Sequence, residues 1–340
     1  MIQPLVSVLM PCYNAEATVD EAVASILQQT LQDLELIAVD DGSTDGTAAR
    51  LENWAGKDRR VCLARGEHAG LVPSLQAGLR LCRVQVIARH DADDIARPER
   101  LEAQLGLLQS EPSLAAVGCM VEAFPEEDVR EGLRVYLEWQ NGLLTPEAIA
   151  RQIFVESPLA HPSLMIRRAW LERVGGYQDN AWPEDYDLLL RLHLAGARFG
   201  KVPRLLVRWR EHARRLTRID PRYSVEAFLR AKAHYLRRGP LGHAPKVILW
   251  GAGQMGRRLS KHLLREGVDL AAFVDIDPEK IGRVRRGRPI HDPADLPRLL
   301  LEHQPAVVLA AVGARGARRL IRDRLTAMGL EEGRDWWAVA

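Results

Sequence analysis

Three aspartates within four positions are the first side chains in this sequence that could do chemistry. The stretch HDADDIARPERL begins at His90 and places Asp91, Asp93 and Asp94 directly after an apolar segment that ends at Ala88. Carboxylates this close repel one another unless water or a cation lies between them. Oxygen ligands of this kind suit Mg²⁺ and Mn²⁺. The residues alone therefore indicate either a solvated, capped turn or a site for a divalent cation.

Two further polar groups follow apolar stretches nearer the N-terminus. Tyr13 comes shortly after LVSVLM, and Asp40 and Asp41 end the stretch LELIAVDD. We expect both stretches, and the one over Val84–Ala88, to be parallel strands of one sheet. Ligands of such sheets bind beyond the carboxyl ends of the strands. The three polar groups are therefore predicted to converge on one edge, which is the predicted site.

A glycine-rich turn near residue 250 is a second candidate site. Gly251, Gly253 and Gly256 have the spacing GxGxxG after a predicted strand, and Asp275 ends the next one. In dinucleotide-binding turns of this pattern, backbone N–H groups and a helix N-terminus face a phosphate. Asp275 would then bind a ribose hydroxyl. The simplest ligand for this pattern is NAD.

An α/β framework is needed to position these side chains. Strand and helix patterns alternate along the first hundred residues, which predicts a largely parallel sheet. Thr18 has the spacing of a capping box for the first helix. The pattern weakens over 111–159, and a helix is predicted over 182–196. The Gly- and Pro-rich stretch RRGPLGHAP favours a linker, which gives a first domain over 1–238, a linker over 239–245 and a smaller α/β domain over 246–340.

Composition limits the classes of protein to consider. The chain has 340 residues, a net charge of +2 and 47% hydrophobic residues, which suits two globular domains and gives no reason to expect nucleic acid as a partner. The segment from Lys201 to Arg238 holds twelve basic and three acidic residues. It is either a solvated helical face or an anion site. Because the sequence shows no signal peptide, no membrane span and no paired cysteine motif, we expect a soluble, cytoplasmic protein.

Four motifs in order resemble family 2 glycosyltransferases of the GT-A fold. They are VSVLMPCYNAEATVDEAVASILQQT, LELIAVDDGSTDGT, HDADDIARPERL and WPEDYDLLLRL, and the resemblance covers roughly residues 1–215. It implies an α/β GT-A nucleotide-diphospho-sugar transferase fold, followed here by a smaller Rossmann-like α/β domain. It also implies an enzyme that moves a sugar from a nucleotide-diphosphate donor to a hydroxyl acceptor.

The resemblance assigns roles to the acidic cluster. Asp91-Ala92-Asp93 is similar to the D-x-D of the family, so Asp93 would ligate Mg²⁺ or Mn²⁺ and Asp91 would contact the donor. Asp94 would instead cap the following turn. His212 stands where some relatives have a histidine that joins the metal or the diphosphate, with a solvated face as the other interpretation.

The resemblance also places the base of the donor nucleotide. The Pro11 backbone and the Tyr13 ring would flank the base, and Asp41 would accept a ring N–H with Asp40 nearby. A ring imide suits uracil or thymine, and guanine also offers N–H groups, so UDP is favoured among the donors. The segment 67–76 departs from the common family pattern.

An acceptor hydroxyl needs a general base. Glu184-Asp185 matches the Glu-Asp pair of the family at the start of a helix, where Asp185 would take the proton and Glu184 would line the acceptor site. Helix capping is the competing explanation for both. His161 would line the acceptor pocket or serve as a structural histidine. One base without a nucleophilic carboxylate favours single displacement with inversion, as in this family.

The C-terminal domain carries a second resemblance. Its stretch WGAGQMGRRLSKHLLREG and the strands that follow resemble the small Rossmann-like domain of sugar O-acetyltransferases, in which the glycine turn serves a sugar nucleotide rather than NAD. The acetyltransferase activity is not implied, because no hexapeptide-repeat domain follows. A degenerate scaffold or dimerisation module and genuine NAD use are the alternatives.

The resemblance thus implies a metal-dependent, inverting glycosyltransferase that uses a nucleotide sugar in polysaccharide or glycan biosynthesis. Its acceptor would be a saccharide or a lipid-linked sugar, and the basic segment 201–238 would contact an anionic membrane surface. A non-catalytic nucleotide-sugar sensor or assembly protein is one alternative. An NAD-dependent oxidoreductase fused to a sugar-binding domain is another.

Overall fold

The computed structural model describes residues 4–243 and 245–340 and divides them into two compact units. The first unit holds the residues up to Ile149, Ser157–Asn180 and Glu184–Ile219, and the second holds Ala150–Glu156, Ala181–Pro183 and Asp220–Ala340. Ala244, within the predicted linker 239–245, lies outside the described residues. Residues 220–238 group with the second unit, and the boundaries drawn from the sequence stay a prediction.

A mixed sheet forms the first unit. Its strands within the described residues are β1 (Val6–Cys12), β2 (Leu34–Asp40), β3 (Val61–Arg65), β4 (Val86–Arg89), β5 (Ile95–Ala96), β6 (Leu114–Phe124), β7 (Met165–Arg167) and β8 (Arg198–Arg210). They lie in the order β3-β2-β1-β4-β7-β6-β8-β5. Strands β1 to β4 are parallel, whereas β7 is antiparallel to β4 and β6, and β5 is antiparallel to β8. The expected parallel sheet therefore describes only the half that carries the first two polar groups and the acidic cluster.

Helices connect these strands and cover the sheet. They are α1 (Val19–Leu27), α2 (Thr47–Lys57), α3 (Leu71–Leu81), α4 (Arg100–Ser110), α5 (Glu131–Asn141), α6 (Pro146–Gln152), α7 (Arg168–Arg173), α8 (Glu184–Leu194) and α9 (Leu216–Ile219). The apolar residues of α1 recur at helical spacing and join the core formed with β1 and β2. Both of those strands are buried along their whole length, which their largely apolar sequences predict. The buried hydroxyl of Ser7 on β1 donates to the carboxylate of Glu35 on β2 at 2.5 Å.

The start of α1 differs from the expected capping box. The Thr18 side chain caps no backbone N–H group of the helix. Its hydroxyl instead donates to the carbonyl of Ala92 at 3.0 Å. The predicted cap is therefore wrong, because a long-range contact with the loop after β4 takes the hydroxyl. This contact ties the first helix to the acidic cluster.

The segment in which the sequence pattern weakens is fully structured. It contains β6, α5 and α6, and β6 runs parallel to β8 with three irregularities in its register. Gly118 lies within β6, where an added Cβ would come within 2.9 Å of the Leu159 side chain. Small residues and an irregular register blur the alternation of apolar and polar residues on which strand prediction depends.

The second unit has its own sheet and helices. Its strands are β9 (Lys246–Trp250), β10 (Leu270–Val274), β11 (Val284–Arg285), β12 (Arg288–His291), β13 (Ala306–Ala310) and β14 (Trp336–Ala338), and its helices are α10 (Val225–Arg238), α11 (Gln254–Arg265), α12 (Leu296–Glu302) and α13 (Ala317–Ala327). The sheet order is β11-β12-β10-β9-β13-β14, and only β11 is antiparallel to its neighbour. Since the chain leaves β9 first toward β10 and later returns to β13 on the other side, the sheet has a switch point between β9 and β13. No helix among the described residues is long and apolar enough to cross a membrane.

Candidate functional site

The structure brings the predicted polar groups of the first unit to one edge of its sheet. Pro11 lies near the end of β1, Asp40 ends β2, and Asp91 follows β4 by two residues. Strands β2 and β4 flank β1 and run parallel to it. Their carboxyl ends are therefore adjacent, and the sequence predicted this correctly.

The three aspartates after β4 form one cluster of carboxylates. Asp91, Asp93 and Asp94 each offer an oxygen that lies within 4.8 Å of the other two. Burial, and then the negative charges of Asp93 and Asp91, raise the pKa of Asp94 well above its ordinary value. One oxygen of Asp94, Oδ2, is buried without a hydrogen-bond partner among the described residues. A buried carboxylate oxygen without a donor is costly unless a cation or an ordered water supplies the missing interaction.

The other oxygen of Asp94 has a structural role. Asp94 Oδ1 accepts the backbone N–H of Arg210 on β8 at 2.7 Å. The expectation that Asp94 caps the following turn is therefore wrong, because Oδ1 binds β8 and Oδ2 has no hydrogen-bond partner among the described residues. The carboxylate fastens the end of β8 to the loop after β4, which brings the residues that follow β8 toward the cluster.

His212 follows β8 and lies beside the acidic cluster. Its Nε2 lies 2.9 Å from Oδ2 of Asp93, although 119 positions separate the two residues in the chain. Burial raises the pKa of Asp93, but the hydrogen bond from His212 and the charge of Arg215 outweigh it and hold that pKa below the ordinary value. The cluster thus combines carboxylate oxygens with an imidazole nitrogen, a donor set that suits Mn²⁺ or Mg²⁺ with additional water.

Two arginines orient the cluster. Arg89 is almost fully buried at the end of β4, and its guanidinium contacts Oδ1 of Asp91 at 2.5 Å. Arg210 donates from Nε to the carbonyl of Asp93 at 2.6 Å, and its guanidinium also pairs with Glu21 of α1. Sequence reasoning missed Arg89. A charged residue at the end of an apolar strand, directly before the acids, is the signal that could have revealed it.

The second group of polar residues lies at the ends of β1 and β2. Asp41 is buried and accepts the backbone N–H groups of Ala69 at 3.0 Å and Gly70 at 2.9 Å. Asp40 accepts the N–H of Ser43 at 3.3 Å. The loop after β3 is thus fastened to the end of β2 by a carboxylate that the sequence assigned to the nucleotide base.

His68, within that loop, was not predicted. Its ring stacks on the Tyr13 ring, with centroids 4.0 Å apart and an angle of 17° between the planes. Its Nδ1 lies 2.8 Å from Oδ2 of Asp41. It falls in the segment 67–76, whose departure from the family pattern was the one signal in the sequence.

The third group surrounds the start of α8. Glu184 is buried in the first turn of the helix, and Asp185 is half-buried beside it and accepts the N–H of Tyr186 at 2.7 Å. Negative charge at a helix N-terminus is favourable. The pKa of Tyr177 is raised by burial and further by the negative charges of Glu184, Asp185 and Asp91, although Arg89 lowers it. The acids of α8 and the cluster after β4 therefore act on one phenol.

His161 lies beside these residues. Its Nε2 is 2.8 Å from the Tyr177 hydroxyl, and its Nδ1 is 3.7 Å from Oε1 of Glu184. Burial, and then the charge of Arg89, lower the pKa of His161 well below its ordinary value, so the ring is neutral near pH 7. Gln76, which stands where the family often has Asn, donates to the carbonyl of Tyr177 at 2.9 Å.

The glycine turn of the second unit follows β9. Gly251 has a positive φ of 117°, and a Cβ on Gly256 would come within 1.7 Å of the Gly251 carbonyl oxygen. Gly253 precedes α11, and a Cβ there would meet nothing within 4 Å. Asp275 follows β10, and its Oδ2 accepts the N–H of Ala252 at 2.7 Å. The structure thus brings all four predicted residues of this unit together.

Comparison with solved structures identifies the fold. S. aureus TarS 1–349 in complex with UDP-GlcNAc superimposes with a TM-score of 0.58 over 77% of this chain and 72% of that chain, at 18% sequence identity. A likeness at this identity shows the fold alone. The fold is that of GT-A nucleotide-diphospho-sugar transferases with a second sheet domain at the C-terminus, and the predicted fold class is confirmed.

Comparison of sequences identifies the family. The family model described as glycosyl transferase family 2 matches residues 7–175. The putative glycosyltransferase EpsE of Bacillus subtilis is 32% identical over 228 residues, which are 66% of this chain and 79% of that protein. The amylovoran biosynthesis glycosyltransferase AmsE of Erwinia amylovora is 31% identical over 207 residues, 60% of this chain and 75% of that protein. The chain belongs to glycosyltransferase family 2, and the resemblance of its C-terminal domain to sugar O-acetyltransferases stays a prediction.

Proposed function

We propose that this glycosyltransferase moves a sugar from a nucleotide-diphosphate donor to a hydroxyl acceptor and that a UDP-sugar is the favoured donor. The transfer would invert the anomeric configuration and would require a divalent metal ion. The observation that carries the proposal is the cluster of Asp91, Asp93 and Asp94 beside His212. One buried oxygen of Asp94 has no hydrogen-bond partner in the part of the chain that the structure describes. The cluster lies at the carboxyl edge of a parallel half-sheet, where α/β proteins bind ligands.

The donor set fits Mg²⁺ or Mn²⁺. Asp93 and His212 would ligate the ion, and the buried oxygen Oδ2 of Asp94 would be a further ligand. When bound, such an ion stabilises the negative charge that develops on a diphosphate leaving group. Asp91, held by Arg89, would accept a hydroxyl of the donor. Oriented carboxylates of this kind need no rearrangement when the donor arrives.

Recognition of the base would fall to the ends of β1 and β2. The Pro11 backbone and the Tyr13 ring would flank the base, and Asp41 with Asp40 would accept its ring N–H. Tyr13 is 45% exposed, and His68 covers one face of its ring. The complex of TarS with UDP-GlcNAc, a protein of the same fold, supports UDP.

Proton transfer from the acceptor would fall to Asp185. The carboxylate is half-buried at the N-terminus of α8, and Glu184 and neutral His161 would line the acceptor pocket. A general base contributes about 10²- to 10⁴-fold to such reactions. A single base without a second carboxylate as nucleophile favours direct displacement, which inverts the anomeric configuration.

The acceptor would be a saccharide or a lipid-linked sugar in polysaccharide biosynthesis. The relative AmsE, named for amylovoran biosynthesis, supports this class of process. Contact of the segment 201–238 with an anionic membrane is a further part of the proposal. Several of its cations are already engaged: Lys201 and Lys232 are buried, and Arg238 pairs with Glu266 at 3.0 Å. Unchanged liposome binding after Arg230, Arg237 and Arg238 are each replaced by Glu would contradict that contact.

Turnover of a donor panel tests the proposed reaction. Wild-type protein is incubated with Mn²⁺, UDP-, GDP- and dTDP-sugars and a mixed oligosaccharide acceptor, and nucleotide release is measured. NMR of the product gives its anomeric configuration. Asp93→Asn is compared with Asp33→Asn, which makes the same change at the opposite end of β2. We expect release from UDP-sugars that only Asp93→Asn abolishes, with an inverted product; a retained configuration or equal rates in both variants would contradict the proposal.

A further inference from the structure

A cavity of about 710 Å³ opens at the switch point of the second sheet. It lies at the carboxyl ends of β9 and β13, between the turn at Gly251 and the segment from Ala311 to Ala314. The volume falls within the range of about 300–1,000 Å³ that is typical of small-molecule sites. The cavity belongs to this unit alone, and the family match at residues 7–175 does not include it.

Backbone N–H groups line one side of the cavity. Helix α11 begins after Gly253 and α13 begins after Gly316, and neither helix has a side chain that caps its first N–H groups. The space beside Gly253 is open, since a Cβ there would meet nothing within 4 Å. Two uncapped helix N-termini and a glycine turn form a surface that attracts phosphate.

Cations and apolar side chains line the remainder of the cavity. Arg324 lies over the Trp250 ring, 5.8 Å from its centroid, and has no acidic partner among the described residues. Met255 also lines the cavity, and Ile276 and Leu320 line it while remaining 75% and 66% exposed. Large apolar side chains left in water beside an unpaired cation suit a ligand that has both a flat apolar part and an anionic part.

Asp275 braces the glycine turn. Its Oδ2 accepts the Ala252 N–H, and its Oδ1 accepts the Asp277 N–H at 3.0 Å. Lys280 Nζ lies 3.6 Å from Oδ1 of Asp275 and 3.0 Å from Oδ2 of Asp277. Both oxygens of Asp275 are thus engaged within the protein, whereas the acid of dinucleotide-binding turns accepts a ribose hydroxyl. Lys280 also lines the cavity and adds a cation there.

We propose that this cavity binds a nucleoside diphosphate through its phosphates, as a second nucleotide site separate from the donor site. The diphosphate would lie on the N-termini of α11 and α13, with Lys280 and Arg324 beside it. The nucleoside would pack against Trp250 and Met255. A contact between Asp275 and a ribose hydroxyl, which dinucleotide-binding turns provide, would not contribute to binding.

Hydrogen exchange on the full chain, with a variant that places a charge in the phosphate site, tests this proposal. UDP, NAD⁺ and inorganic phosphate are added separately in EDTA, so that metal-dependent binding in the first unit is removed. Gly253→Asp places a negative charge at the start of α11, and Gly253→Ala is the matched control because the added Cβ has open space. Affinities are measured by calorimetry on the same samples.

We expect UDP to slow exchange at 251–257 and 311–320 in wild type and Gly253→Ala, with at least a tenfold loss of affinity in Gly253→Asp. NAD⁺ should bind no more tightly than UDP, because its ribose gains no contact with Asp275. No slowing of exchange at saturating UDP, or equal slowing in both variants, would overturn the proposal. Tighter binding of NAD⁺, or an equal effect from phosphate alone, would overturn the assigned ligand class.

A second inference concerns His68 and rests on the proposed donor site. The imidazole stacks on Tyr13 and presents Nδ1 to Asp41, which are the two contacts proposed for the base of the donor. With ring centroids 4.0 Å apart, no base fits between the two rings. The His68 side chain is 52% exposed, so rotation into solvent is open to it.

We infer that His68 occupies the place of the base in the empty site and that the donor must displace it. Its removal frees that face of Tyr13 and leaves Asp41 Oδ2 with only the Gly70 N–H among the contacts described here. Loss of one stacked pair corresponds to roughly a threefold to tenfold change in affinity. His68→Ala should therefore bind UDP more tightly than wild type in the presence of Mn²⁺.

His68→Phe is the matched variant for this test. It keeps a ring on Tyr13 but lacks the N–H toward Asp41, so its affinity for UDP should lie between those of wild type and His68→Ala. Weaker or unchanged binding in His68→Ala would overturn the inference, because His68 would then be a wall of the site or irrelevant to it. If no variant, wild type included, shows Mn²⁺-dependent UDP binding, the proposed donor site itself fails.

Discussion

At the scale of single residues, the types and spacing of the acidic residues predicted the cluster but not the role of each aspartate. The crowding of Asp91, Asp93 and Asp94 predicted a cation or a solvated turn, and the spacing cannot tell which aspartate is buried. In the structure, Asp94 Oδ1 accepts a hydrogen bond from the backbone of β8, whereas Asp94 Oδ2 has no hydrogen-bond partner among the described residues. The hydrogen bond joins residues that are 116 positions apart in the chain, so no local pattern could have shown it.

Replacement of Asp94 by Asn should separate stability from metal binding. The change keeps an oxygen for the Arg210 N–H and removes the charge of a carboxylate buried beside two others. We expect the free energy of unfolding of the metal-free protein to rise by about 1–2 kcal/mol. We also expect the stabilisation by Mn²⁺ to be lost. Urea titrations with EDTA and with Mn²⁺ measure both, and an Asn variant that is less stable without metal but keeps its Mn²⁺ response would refute this account.

The proposed role of Asp185 predicts an effect on the rate of sugar transfer and not on the affinity for the nucleotide. Asp185→Asn should lower kcat by about 10²- to 10⁴-fold, because the acceptor hydroxyl loses its base. The Kd for UDP with Mn²⁺ should stay within a factor of two, since the base does not contact the nucleotide. Initial rates and calorimetry on the same preparation give both values. A large loss of UDP affinity with an unchanged rate would assign Asp185 to the donor side instead.

At the scale of secondary-structure elements, prediction succeeded where most residues of a strand are apolar. The strands β1, β2 and β9 are largely apolar, and the sequence predicted each of them as a strand. The antiparallel β7 and the irregular β6 did not, because three-residue strands and shifted registers carry no period to detect. The predicted cap at Thr18 failed because a distant carbonyl took its hydroxyl.

Alanine variants of Gly256 and Gly253 in the second unit should differ in stability. A Cβ on Gly256 would come within 1.7 Å of the backbone oxygen of Gly251, whereas a Cβ on Gly253 has open space. Gly256→Ala should therefore lower the free energy of unfolding of the second unit by about 1–3 kcal/mol or more, and Gly253→Ala should change it little. Hydrogen exchange of β9 and α11 measures the local stability. Equal stabilities in the two variants would show that the close approach of helix and strand is not required.

Lys201 on β8 predicts a dependence of stability on pH. Burial lowers the pKa of its ammonium to about 7, and Nζ donates to the Pro158 carbonyl at 3.1 Å. Between about pH 7 and the ordinary lysine value near 10.5, the unfolded chain holds a proton that the folded chain lacks. Stability therefore rises with pH in this window, by at most about 1.4 kcal/mol per unit.

Comparison with Lys201→Met isolates that contribution. The variant has no proton to lose, so the difference in free energy of unfolding between wild type and variant should move in favour of wild type from pH 7.5 to 9.5 by about 1–2 kcal/mol. Urea titrations at several pH values within the window provide the difference. A constant difference would show that Lys201 stays charged when folded.

At the scale of the whole molecule, the two units differ in how much of each could be predicted from the sequence. The first belongs to glycosyltransferase family 2, and its fold and the meeting of its polar groups at one edge could be predicted from motifs in the right order. For the second, the sequence predicted the fold and the glycine turn. The sequence offered Asp275 as a ligand of a ribose hydroxyl. In the structure its oxygens accept the N–H groups of Ala252 and Asp277, and Lys280 Nζ lies 3.6 Å from Oδ1. The ligand of this turn stays a prediction. Hydrogen-bond partners of this kind are settled by tertiary contacts and not by spacing.

The most direct test of the central claim is a calorimetric titration of UDP with and without Mn²⁺. It is made on Gly253→Asp protein, so that binding in the second unit does not contribute, and on the same protein with Asp93→Ala added. We predict one UDP site in the first unit that requires Mn²⁺ and disappears with Asp93→Ala. UDP binding that is equally strong in EDTA, or that survives the loss of Asp93, would contradict a metal-dependent donor site at this cluster.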